Sequence, residues 1–148
     1  MKNIIYLEEA NNRFTTTCRR LLNKEGYKEF SKTGPMYYII EELENLADEY
    51  KFLYNYLYEK RDKNIKLSKR ILGLYEEINK LLKTFYEHFY KFNKEKLVLI
   101  GKKRKKLVNE LYNILDKASG ADVVVAHHLL VILQKIFCLI GPHIIISI

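Results

Sequence analysis

Between Met36 and Tyr58 the chain reads MYYIIEELENLADEYKFLYNYLY, and its apolar residues recur at Ile39, Leu43, Leu46, Tyr50, Leu53 and Leu57. Alternating steps of four and three place all six on one face of an α-helix. A strand could not use the pattern, because its side chains alternate with a period of two. Segments of the same kind, almost without glycine or proline, fill most of the chain and predict an all-α protein. The expected architecture is an elongated antiparallel bundle of about five helices, forming a single domain over residues 1–148.

The first helix is expected from Ile4 to Asn23, with Ile4, Leu7, Phe14, Cys18, Leu21 and Leu22 facing inward, and it stops before Gly26. Gly34-Pro35 then puts a proline in the first turn of the second helix. The polar run from Glu59 to Asn64 predicts a turn. A third helix is expected from Ile65 to Phe92, with Leu67, Ile71, Leu74, Ile78, Leu81, Phe85, Phe89 and Phe92 in phase. At 1.5 Å per residue it would span roughly 40 Å, which makes the bundle elongated. Asn93 is the expected cap of a fourth helix ending at Lys117, and Asp122 that of a last helix starting at Val123.

That last segment, VVVAHHLLVILQKIFCLIGPHIIISI, is long enough to cross a bilayer. Gln134 and Lys135 at its middle and the break at Gly141-Pro142 favour a buried core helix, with membrane contact peripheral and His143 to Ile148 an extended tail. His127 and His128 point about 100° apart on a helix and are expected as hydrogen-bonded core residues. His88, beside Glu87, is expected at the surface.

A formal net charge of +8 attracts polyanions, including nucleic acid, anionic lipid and phosphate. Its densest run is Lys102, Lys103, Arg104, Lys105 and Lys106, which on a helix spreads over more than half the circumference. Such a run either solvates its helix or forms a polyanion-binding surface. Cys18 and Cys138 lack the spacing of a zinc site, and the amino terminus lacks the apolar run of a signal peptide, so a reduced, cytoplasmic protein is expected. Abundant Lys, Glu and Ile with a single glutamine resembles heat-adapted composition. Glycine-rich phosphate loops, HExxH and GxSxG are absent from the sequence, and the expectation is a non-enzymatic protein.

Shifting the second helix by 94 residues lays Ile39, Leu43, Leu46 and Tyr50 over Leu133, Phe137, Ile140 and Ile144. Residues 1–60 then correspond to two helices of one repeat, and 63–148 to three helices of a second. The segment IIEELENLADEYKFL, with Glu44 and Asp48 one turn apart, resembles the motif helix of PhoU-like phosphate-uptake regulators, all-helical proteins built from two three-helix repeats. LLVILQKIFCLIGPHIIISI resembles their second motif helix, although Cys138 and Pro142 stand where that motif has its carboxylates. The resemblance implies a non-enzymatic regulator of phosphate uptake acting through a transporter or sensor component. It also implies a divalent or iron-type metal ion on Glu44 and Asp48. The apolar final segment could support a homodimer. The alternative expectation is a basic helical nucleic-acid-binding module, or a small ribonucleoprotein subunit, using Lys102 to Lys106.

Overall fold

The computed structural model describes residues 2–63 and 65–148, so Asn64 of the expected turn lies outside the described residues. Six helices follow in order: α1 (Lys2–Glu25), α2 (Thr33–Glu59), α3 (Lys69–Tyr90), α4 (Lys94–Lys117), α5 (Ala121–Cys138) and α6 (Ile140–Ser147), with short 3-10 turns at Phe30–Lys32 and Arg61–Lys63. No strand occurs among the described residues. The all-α bundle expected from the periodicity is therefore what forms.

Local chemistry sets the helix ends. Gly26 adopts φ 73°, a left-handed conformation that costs glycine little, and its N–H reaches back to Leu22 O at 2.9 Å to close α1. Asn93 caps α4 as expected, its Oδ1 accepting from the Lys96 N–H at 3.0 Å. The start of α3 differs. Residues 65–68 are non-helical, and Ser68 caps the helix by accepting from the Ile71 N–H. Asp122 caps nothing of its own: α5 starts at Ala121, and the Asp122 carboxylate accepts the backbone N–H of Ser68 at 3.0 Å. It ties the start of α3 to the start of α5.

Helix α5 is the centre of the bundle. Val125, Ala126, Leu129, Ile132, Leu133 and Ile136 are all buried, and they meet buried residues of α2, α3 and α4 in one cluster. The run Ala121–Ser147 is long and apolar enough to cross a membrane, and 39% of its apolar stretch is buried, with α5 packing on α2, α3 and α4. Burying each large aliphatic side chain contributes about 1.5–3 kcal/mol of transfer free energy.

Helices α2 and α3 both pack on α5 rather than on each other. From α2, Ile39, Leu46 and Leu53 enter the core, whereas Leu43, expected on the same face, is 40% exposed. The residues at steps of seven reach α5, and those between them border a furrow bridged by the Tyr50 hydroxyl, which donates to Asn79 Oδ1 at 2.6 Å. Burial pushes the Tyr50 phenol well above its usual range, so it remains a donor.

Two expectations about the chain's outer parts are overturned. His143 to Ile148 forms most of helix α6 instead of an extended tail. Pro142 has no N–H to donate to Cys138 O, the helix pauses at Leu139, and His143 resumes it by donating to Leu139 O at 3.1 Å. The buried His143 ring, against Phe85 and Phe89, holds this last turn down. In α1, Leu22 is the sole buried member of the six residues expected inward, while Leu7, Phe14, Cys18 and Leu21 are exposed. The helix turns a polar face to α2, for reasons found in its charges.

Candidate functional site

Glu44 and Asp48 both lie on the side of α2 that faces α1, and each is held by a different cation. Arg19 of α1 straddles two carboxylates: its Nη1 donates to Glu41, and its Nη2 sits 2.6 Å from Glu44 Oε2. The Thr15 hydroxyl donates to that same Glu44 oxygen at 2.8 Å. One turn on, Lys51 Nζ lies 2.8 Å from Asp48 Oδ1 and 2.8 Å from Glu8 Oε1. Since Glu8 pairs with Lys51 and Arg19 with Glu41, α1 runs antiparallel to α2.

The electrostatics agree with this geometry. The bond to Glu41 raises the Arg19 guanidinium's hold on its proton, and Asp48 followed by Glu8 does the same for Lys51. Hydrogen bonds from Lys51 and then Asn12 hold the Glu8 carboxyl below the usual carboxylate range. Every one of these contacts joins α1 to α2 or stiffens the joint. Charge-assisted bonds of this kind are shorter and stronger than neutral ones.

Arg19 and Thr15 engage Glu44 Oε2, and Lys51 engages Asp48 Oδ1. No group of three His, Cys, Asp or Glu side chains converges on a point among the described residues. As arranged, the two carboxylates form a staple between α1 and α2.

The basic run divides by the phase of α4. Lys102, Lys103, Lys105 and Lys106 are exposed, with Lys106 3.8 Å from Glu110. Arg104 turns inward instead: its Nη2 donates to Gln134 Oε1 at 2.6 Å and its guanidinium stacks 4.2 Å from the Phe137 ring centroid. One of the five residues thus joins α4 to α5, and the surface charge belongs to the four lysines.

Among the histidines, His128 makes the hydrogen bond expected of it, with Nδ1 2.7 Å from Glu49 Oε1 on α2, while its neighbour His127 is exposed. His88 corrects its expectation outright, being fully buried rather than at the surface. It lies on the same stripe as Leu81 and Phe85, one turn beyond Phe85, while its sequence neighbour Glu87 is exposed. Both cysteines are free thiols, with Cys18 exposed.

The feature that sequence reasoning missed is the outward face of α1. Leu7, Phe14 and Leu21 stand at steps of seven, and they are 65%, 72% and 51% exposed. Their spacing was visible, but it was read as an inward face. The discriminating signal lay in the next positions: Glu8, Thr15 and Arg19 match charges on α2, so satisfying them rotates the apolar stripe away from the core.

No protein-family model matches this chain, and no curated protein or solved structure is significantly similar to it.

Proposed function

We propose that this protein is a non-enzymatic regulatory bundle that docks an apolar helical face of a partner protein onto α1. The reading follows the resemblance to PhoU-like regulators of phosphate uptake, which makes a transporter or sensor component the partner. The observation that carries it is the inversion of α1: a helix fixed to the bundle through ions and hydrogen bonds, presenting Leu7, Phe14 and Leu21 to solvent. An apolar stripe kept outward by a polar anchor fits an interaction surface. On this reading Glu44 and Asp48 serve the surface by orienting it.

The test places a photo-crosslinking amino acid at Thr17, beside the seam, in cells of the source organism, and measures phosphate uptake in parallel. Crosslinks to a transporter or sensor subunit that vanish in Phe14→Glu/Leu21→Glu, together with altered uptake in that variant, are the expected result. Crosslinks to other copies of the chain alone, or uptake indifferent to the double variant, would overturn the proposal. Elemental analysis of wild type and Glu44→Gln separates the roles of the carboxylates, since metal lost in the variant would restore the ion-binding role.

A second reading has one specific observation in its favour. Lys102, Lys103 and Lys105 are exposed and have no salt-bridge partner among the described residues. A basic module of this kind binds nucleic acid with an affinity that falls steeply with salt, and the triple change of these lysines to glutamine would flatten the slope. Failure to bind RNA or DNA at 50 mM salt removes it.

A further inference from the structure

Helix α4 packs on α3 and α5 and buries Ile100, Leu107, Leu111 and Ile114, which fixes the side of it that stays bare. At 100° per residue the opposite pole is the row Val98, Lys102, Lys105 and Tyr112, with Leu99 beside it. Val98, Leu99 and Tyr112 are 60%, 48% and 52% exposed. An aliphatic pair thus stands on the outermost part of the most basic helix.

Charge on the same side selects the partner. From Lys94 to Lys106 six lysines are exposed, and Glu95 is the single carboxylate of the stretch. A polyphosphate chain such as RNA would use these lysines and leave Val98 and Leu99 in water. An anionic bilayer uses both: the aliphatic side chains leave water, and the lysine stems run along them while the ammonium groups stay among the lipid phosphates. A tyrosine ring suits the boundary between the two layers.

We propose that the outer face of α4 docks on the surface of an anionic phospholipid bilayer, with Val98 and Leu99 below the head groups, Lys102 and Lys105 at the phosphates and Tyr112 at the interface. This goes beyond the docking of a partner protein on α1. That helix packs on α2, whereas α4 packs on α3 and α5, so the bilayer face can be altered without touching Leu7, Phe14 or Leu21.

The experiment sediments the purified full chain with vesicles of phosphatidylcholine alone, or with about one-third phosphatidylglycerol. Binding at least about tenfold tighter to the anionic vesicles is expected, falling as salt is raised. Lys102→Gln/Lys105→Gln should weaken it about thirtyfold, and Val98→Ser/Leu99→Ser about tenfold at unchanged charge. The chain has no tryptophan, so an introduced one reports its own surroundings. Emission of Leu99→Trp should shift to the blue on anionic vesicles, and that of Phe14→Trp should not. Absence of binding to anionic vesicles at low salt, equal binding to both kinds, or indifference to the serine pair would overturn the proposal. So would a blue shift confined to Phe14→Trp, which would move the contact to α1. Tighter binding to single-stranded RNA than to vesicles, unchanged by the serine pair, would overturn it in favour of nucleic acid.

Discussion

His88 and His143 meet edge to face in the interior, their ring centroids 4.9 Å apart and each ring tied to the backbone by one nitrogen. The Asn93 N–H donates to His88 Nδ1 at 3.2 Å, which leaves the proton of the neutral ring on Nε2. His143 is the same tautomer, its Nε2–H donating to Phe89 O at 3.2 Å and leaving a lone pair on Nδ1. The two remaining nitrogens, a donor on His88 and an acceptor on His143, are buried without partners.

This pair makes the fold acid-sensitive. Burial lowers the proton affinity of both rings, and at His88 the charges of His143 and Lys96 add to the effect. An imidazole that titrates lower in the folded state than in the unfolded one imposes no penalty above the unfolded value of about 6.5. Stability is lost as pH falls below that value, because the unfolded chain takes up protons first. Urea unfolding at steps from pH 7.5 to 5 should show a falling midpoint in wild type, and His143→Phe should show a shallower fall. Parallel pH profiles for the two proteins would remove the pair as the cause.

Removing Arg19 strips the bridge from Glu41 and Glu44 at once. Arg19→Met is expected to lower stability by about 1 kcal/mol at low salt, since both ion pairs are partly exposed, and by less in 1 M salt. Amide exchange should accelerate in α1 and stay slow in α5, because the loosened helix touches α2 and lies outside the central cluster. Uniform acceleration across the molecule would count against a separately anchored α1.

Leu133 and Leu43 were placed inward by the same spacing, but they now predict different losses. Leu133 is completely buried, and Leu133→Ala should cost about 2–5 kcal/mol through the cavity it leaves. Leu43→Ala, at a site 40% exposed, should cost less than about 1 kcal/mol. Comparable losses on a urea melt would mean that the furrow beside Leu43 closes in solution.

Ser68→Ala tests the late start of α3. The hydroxyl accepts the Ile71 N–H, so its loss is expected to cost about 1 kcal/mol and to fray the first turn. Thermal melting gives the first quantity, and exchange at Leu72 and Gly73 gives the second.

Helix order, most boundaries and the Asn93 cap were legible in the sequence because each depends on neighbours within one or two turns. Apolar phase was legible only where one stripe had one destination. On α3 it led directly to Ile71, Leu74, Ile78, Leu81 and Phe85, and following it one turn further would have placed His88 inside as well. On α1 two faces competed, and the choice rested on Glu41, Glu44 and Lys51, charges some 20 to 40 residues away. The same distance hid the fate of Glu44 and Asp48, whose i,i+4 spacing says nothing of the arginine and lysine that meet them. Asp122, too, looked like a local cap because its real partner, the Ser68 N–H, is remote in the chain.

The central position of α5 also fixes an order of events at synthesis. Helices α2 and α3 barely meet, and the α5 surface that covers Ile39, Leu46 and Leu53 on one side and Ile71, Leu74 and Ile78 on the other is made after both. At ribosomal rates the hundred or so residues from Ile39 to Cys138 take roughly 5–20 s to appear. For that interval the nascent chain carries finished amphipathic helices with no common partner, and its exposure to aggregation is set by how quickly Ala121–Cys138 follows them out.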